Sequence, residues 1–404
     1  MSQQLRTPAR RTLIAALLAG SALNASADVI TDWNIKTGEF IVESKLGTPP
    51  AIRVMALVQT AAYEAVQASR GGASAEAAVA AAHRLTLAKL LPAQQAAIEA
   101  AYLAALTSIP EGPAKAAGIV IGERAAGTTL AQRASDSIAA ETYRPHTTAG
   151  AYVPTATPAA PTWALRKTWQ MIGPAQFRAA PPPALTSATW ARDYNEVKSF
   201  GAKSSTQRTA EQTEIARFWE YSLPPIYFGV VRSVAAQPGR DVMRNARLFA
   251  AAAQALDDGM VGVFDSKYHY NFWRPATAIR NGDIDGADGT ARDASWAPLI
   301  GEPLHPEYPS AHATLAGAIG AVLKAEIGAG AMPVLATTSP TAKGATRRWT
   351  SIDDFVNEVS DSRIYAGIHY RFSTDAGMAL GRNIGELTAR RALQTGESVA
   401  RSTY

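Results

Sequence analysis

Cysteine is absent from all 404 residues, so zinc-thiolate, iron-sulfur and thiol-nucleophile chemistry are excluded and packing, not disulfides, must stabilise the chain. Histidine is scarce: residues 83, 146, 269, 305, 312 and 369 are the whole imidazole supply. Charge bias is also missing. The formal net charge is +5, but Arg6, Arg10 and Arg11 sit in an N-terminal segment expected to leave, and without them the balance is +2. Neither nucleic acid nor a membrane surface is implied as a partner. No apolar run reaches the ~20 residues that a membrane-spanning helix needs. No convincing strand pair or internal repeat is legible, so the expected fold class is all-α.

What is present begins with three arginines, the apolar run Thr12 to Leu23 and the small residues Ala25-Ser26-Ala27 before Asp28. This is the pattern of a secretory signal peptide over residues 1–27, which places the mature chain in the periplasm or outside the cell. Arg10-Arg11 also has the form of a twin-arginine signal, and both export routes stay open. Residues 28–404 are then expected to form one large helical domain.

Asp28 to Leu46 has only short alternating stretches and is expected as an irregular arm. Helical spacing of Ile52, Met55, Ala56, Val58, Ala62 and Val66 predicts a helix from Pro49 to Ser69, stopped by Gly71-Gly72. Ser74 to Ser108 is alanine-rich, with leucines that give it buried faces, and Pro92 divides it into two helices. A further helix covers Ala114 to Ser135. From Tyr143 to Pro183 prolines and threonines accumulate and periodicity disappears, which predicts a long excursion. Its Tyr152, Trp163 and Trp169 suggest that it packs down over the site. Helices resume over Thr186 to Phe200, from a Thr209/Gln212 capping box to about Tyr221, over Ile226 to Ala236, and over Arg240 to Asp258.

Three stretches carry the chemistry: Lys267 to Pro275 (KYHYNFWRP), His305 to His312 (HPEYPSAH) and Ser362 to His369 (SRIYAGIH). Lys267 and Arg274 are seven residues apart, which on a helix is two turns and one face, and two cations pointing one way need an anion. Ser310 after Pro309 reads as the N-cap of the helix Ala311 to Ile327, whose free N–H groups at Ala311 and His312 make an oxyanion cradle. Arg363 offers a planar fork for two oxygens, and His312 and His369 add acid/base or nucleophilic nitrogen. Glycines 377, 381 and 385 recur every four residues, and close helix packing explains them better than ligand binding.

The order and spacing of Lys267, Arg274-Pro275, Pro309-Ser310-Ala311-His312, Ser362-Arg363 and His369 resemble the signature of the vanadium-dependent haloperoxidases and the phosphatidic acid phosphatase type 2 superfamily around them. The resemblance implies helical bundles around an oxyanion site. Vanadate would be held by Lys267, Arg274, Ser310, Ala311 and Arg363, with His369 as the metal ligand. His312 would move protons, and the substrates would be a halide and hydrogen peroxide. The alternative it implies is an acid phosphatase that needs no cofactor, with His369 attacking phosphorus of a phosphate ester. Members are often dimers, so a homodimer is among the expected assemblies. His305 stands where bromoperoxidase members have a histidine, and Phe264 where chloroperoxidases have a tryptophan, which implies bromide over chloride. Two positions depart: Ala311 replaces the usual Gly, and Ser373 the usual Asp. A serine there carries no charge, so His369 is expected to be a weaker ligand or nucleophile, while Ser373 can cap the following helix.

Overall fold

The computed structural model describes residues 28–136 and 143–393, and the expected signal peptide lies outside them. Thirteen α-helices and one small hairpin make up the regular structure of the described residues, so the class is all-α, built as helical bundles.

The axis is α9 (Val242–Tyr270), 29 residues long and capped by the Asp241 carboxylate. At 1.5 Å per residue it spans about 43 Å. Nearly every position from Ala246 to Phe264 is buried, because helices surround it. On one side lies α2 (Thr48–Ala68), backed by α3 (Ala75–Leu90) and α5 (Pro113–Gln132); on another lie α11 (Ala311–Ile327) and α13 (Arg371–Ala392). Pro92 does divide the alanine-rich stretch, giving α3 and α4 (Gln95–Thr107). The capping box at Thr209 is formed and opens α7 (Ala210–Phe218). Two further helices follow the expected order, α6 (Ala188–Phe200) before α7 and α8 (Pro224–Ala235) after it.

Two local expectations need correction. The segment after Asp28 is not an arm but the helix α1 (Val29–Glu43), started by Asp28 Oδ1 accepting from the Thr31 N–H at 2.9 Å. Its buried face mixes Ile30, Trp33, Phe40 and Ile41 with Asn34, Thr37 and Gly38, which blurs the helical period. A strand pair also exists: β1 (Leu335–Ser339) pairs antiparallel with β2 (Ala345–Trp349). Only Leu335 and Trp349 are large and apolar, while Thr337 and Ser339 are buried against α8 and the end of α7, so alternation in hydrophobicity is faint.

The proline-rich excursion packs down as expected. The Asp258 carboxylate accepts from the backbone N–H groups of Trp169, Gln170 and Met171 at 2.6, 2.7 and 3.1 Å, and the Trp169 indole donates to Asp257 at 2.6 Å. Further along, Tyr268, Tyr270 and Tyr308 donate their hydroxyls to the carbonyls of Ala159, Ala179 and Ala180, each at 2.6 Å. The strap is thus fastened to the first two motif stretches.

Helices α11 and α13 pack backbone against backbone. A methyl at Gly377, Gly381 or Gly385 would fall 2.6, 2.0 or 2.4 Å from the carbonyls of Ser310, Thr314 and Ala318, so the glycine stripe is the contact surface itself. Gly381→Ala is expected to cost roughly 2–3 kcal/mol or more, since overpacking against backbone cannot be relieved by a rotamer change. Gly127→Ala, on the exposed face of α5 with open space around it, is the control and should be neutral or slightly stabilising. Urea unfolding of the two variants measures the difference.

Candidate active site

Lys267 lies in the last turn of α9, and Asn271, with φ at 48°, ends that helix in the left-handed conformation. Arg274 is therefore not two turns along the same helix; it is the N-cap residue of α10 (Pro275–Arg280). A turn brings the two cations together. That turn is fixed by three backbone hydrogen bonds: Tyr152 N–H to Asn271 at 2.8 Å, Trp273 N–H to Gly150 at 2.9 Å and Glu307 N–H to Phe272 at 2.9 Å.

The side chains are then held by carbonyls. Lys267 Nζ donates to Pro306 and Glu307 at 2.9 and 2.8 Å. Arg274 donates from Nε to His305 at 3.0 Å and from Nη1 to Ile368 at 2.9 Å, and its Nη2 lies 3.0 Å from His305 Nδ1. Arg363, in the last turn of α12 (Ile352–Tyr365), donates Nη1 to the Trp219 carbonyl. That carbonyl is available because α7 stops at Phe218, three residues short of the expected end.

Ser310 caps α11 as expected, and its own N–H donates to the Ser373 carbonyl at 3.1 Å, which sets the start of α11 against the first turn of α13. The N–H groups of Ala311 and His312 precede the first intrahelical bond. Gly367, with φ at 81°, turns the chain between α12 and α13 and aims His369 back at Arg274, whose Nη1 is 3.4 Å from His369 Nε2. His305 is partly exposed, with its ring 5.3 Å from that of Phe264. His312 is also partly exposed, within the electrostatic reach of Arg363 and Lys267. The eight residues singled out in the sequence are thus gathered at one place.

Ser373 departs from its expectation. Tyr370 holds the N-cap position of α13 without a side-chain bond, and Ser373 is buried inside the first turn with its Oγ 3.5 Å from His369 Nδ1. The nearer group on that nitrogen is Glu307, whose Oε1 is 2.6 Å from Nδ1 and also accepts the Tyr370 N–H at 3.3 Å. The carboxyl group missing at 373 is thus supplied to that nitrogen from another stretch. Sequence reading passed over Glu307 within HPEYPSAH. Its signal was a carboxylate in a stretch of prolines and aromatics with three cations to face.

Lys267, Arg274, Arg363, Glu307, Ser310 and His369 are each at most 2% exposed. Burial pulls Lys267 well below the ordinary lysine range and Arg363 down to about 10, and Arg274 adds to both shifts. Burial and the surrounding cations likewise hold His305, His312 and His369 well below the usual imidazole range. These shifts favour the neutral form of His369, whose Nδ1 faces Glu307 and whose Nε2 faces Arg274. Burial pushes Glu307 up to about 7, opposed by Lys267 and Arg274. Arg363 Nε and His312 Nε2 are buried with no hydrogen-bond partner. Mutually repelling cations, orphaned nitrogens and a helix N-terminus together fit a multivalent oxyanion.

Residues 247–397 match the family model described as VCPO second helical-bundle domain. Over that stretch the chain is similar to the vanadium haloperoxidase-like proteins. Among curated relatives, the vanadium chloroperoxidase of Curvularia inaequalis is 28% identical over 174 residues, covering 35% of this chain and 28% of that protein. The match thus spans under a third of the relative's length. Among solved structures, the first bacterial vanadium-dependent iodoperoxidase superposes with a TM-score of 0.77 at 22% identity, covering 91% of this chain and 97% of the other. A holo-type bacterial vanadium-dependent chloroperoxidase gives 0.69 at 17% identity, covering 86% and 93%. These haloperoxidase-like neighbours share the fold along nearly the whole chain, including the first half that the family match leaves out.

Arg363→Lys keeps the charge and loses the fork. One lost charge-assisted hydrogen bond is worth about 1.5–3 kcal/mol, so vanadate and phosphate affinity should fall roughly 10- to 100-fold at unchanged circular dichroism. Calorimetric titration with each oxyanion measures it, and undiminished binding would remove Arg363 from the site.

Proposed function

We propose that this chain binds vanadate and catalyses the oxidation of a halide by hydrogen peroxide, with one proton consumed, to hypohalous acid and water. The observation that carries the reading is the buried group of Lys267, Arg274 and Arg363 beside His369, whose Nε2 lies 3.4 Å from Arg274 Nη1. Lys267, Arg274 and Arg363 would hold the oxygens, with Ser310 Oγ and the N–H groups of Ala311 and His312 completing the cradle. His369 Nε2 would be the ligand. Bound there, vanadate supplies a Lewis acid that activates peroxide while keeping its oxidation state.

The chain's own groups account for the remaining work. His312 Nε2, lacking a partner, can take the proton of an incoming peroxide and return it to the departing oxygen. His305 lies against Arg274 and the Pro306 carbonyl through Nδ1, which leaves its Nε2 for a halide or a peroxide oxygen. Its contact with Phe264 gives the halide side one imidazole and one apolar face, and we take bromide as the preferred halide. One observation also serves a phosphatase: a carboxylate-supported imidazole whose Nε2 faces Arg274 is a competent nucleophile toward phosphorus.

Protein dialysed against orthovanadate is expected to retain vanadium by metal analysis and to brominate a phenolic dye with bromide and peroxide. Chloride and iodide tested in parallel rank the halides. Hydrolysis of p-nitrophenyl phosphate by the vanadate-free protein, without dye bromination in its vanadate-loaded form, would replace the reading with the phosphatase. His369→Ala should abolish either activity and leave part of the oxyanion affinity, because the cations remain.

We also propose that the protein is exported, with residues 1–27 removed. In support, Asp28 serves directly as the cap of α1. Intact mass of the exported protein should correspond to a start at Asp28, and retention of Met1 would reject this.

A further inference from the structure

Among the buried groups around His369, one has no binding or proton-transfer role. Glu307 is that group. It is fully buried, Oε1 lies against His369 Nδ1, and Oε2 has no hydrogen-bond partner. Its backbone is tied to the first stretch, since its N–H reaches the Phe272 carbonyl and its own carbonyl accepts from Lys267. Such a carboxylate is costly to bury unless it is held by specific donors.

We propose that Glu307 is the positioning residue for His369, and that Ser373 is a serine because the carboxylate usual at that place has moved to Glu307. A carboxylate on Nδ1 keeps the proton there, fixes the ring plane and raises the basicity of Nε2. The geometry admits one such group. Ser373 is fully buried with its hydroxyl beside both Nδ1 and Glu307, so an aspartate in its place would set two buried carboxylates against each other. The serine hydroxyl fits because it can donate to the carboxylate that is already there.

This proposal rests on the oxyanion reading only for its affinity arm. Its first test is the nitrogen-15 spectrum of histidine-labelled wild-type protein without oxyanion, with the His369 signals assigned by their loss in His369→Ala. His369 should hold its proton on Nδ1, and a proton on Nε2 would overturn the proposal even if every variant failed to fold. The second is affinity for vanadate and for phosphate by calorimetry. Loss of a group that supports a metal-ligating histidine typically costs 10- to 100-fold. Glu307→Gln should show that loss, and Ser373→Asp alone should weaken binding or stability. The double variant Glu307→Gln/Ser373→Asp should recover to within a few-fold of wild type. Recovery is something a merely structural role for Glu307 would not produce. Glu307→Gln with wild-type affinity and an unchanged ring spectrum would overturn the proposal, as would a folded double variant no better than Glu307→Gln. If wild type binds neither oxyanion, the proposed function fails while the spectrum still decides the role of Glu307.

Discussion

Burying three cations in one helical cluster is the constraint on which the arrangement depends. Isolated charges of this kind cost several kcal/mol each to remove from water, and helices cannot compensate them because their carbonyls are already used. The carbonyls that serve come from chain that is not helical: Pro306 and Glu307 for Lys267, His305 and Ile368 for Arg274, and Trp219 for Arg363. The protein therefore has to bring irregular backbone inside. The early end of α7, the left-handed Asn271 and the turn at Gly367 are the places where it does so.

Irregular backbone inside a bundle needs support of its own, which the strap and the glycine contact provide. The strap ties its carbonyls to tyrosines of the first two stretches and its N–H groups to Asp258 on α9. The glycine contact holds α11 against α13 closely enough for the Ser310 N–H to reach the Ser373 carbonyl. The N-terminus that cradles the anion and the histidine that faces it are thereby set by backbone against backbone. That is a stiffer reference than any pair of side chains.

Much of this was legible in the sequence because it follows from local rules. The proline before Ser310, the capping box at Thr209, the glycine stripe and the aromatic residues of the excursion each name their own structure. The motif stretches name the residues that meet. What sequence periodicity misplaced was the join between Lys267 and Arg274. A helical reading puts them on one face, but Asn271 ends the helix and the partners that hold the turn, Gly150 and Glu307, are distant in the chain. The hairpin and α1 were missed for a related reason. Their buried faces include threonine, serine, glycine and asparagine, whose burial is decided by neighbours and not by their own hydrophobicity.

Glu307 shows the limit most clearly. A motif is a statement about positions along a chain, whereas the imidazole requires only an acceptor at hydrogen-bond distance from Nδ1 and in its plane. Two positions, one four residues after His369 and one sixty-two before it, open onto the same small volume, and a carboxylate from either side satisfies the ring. Electrostatics forbids filling both, because a second buried carboxylate would meet the first before it met a cation. The serine at 373 and the glutamate at 307 are therefore one physical fact, visible as such only when both side chains are placed around the ring. Read singly, the first looks like the loss of a functional group and the second like an unexplained charge between two prolines.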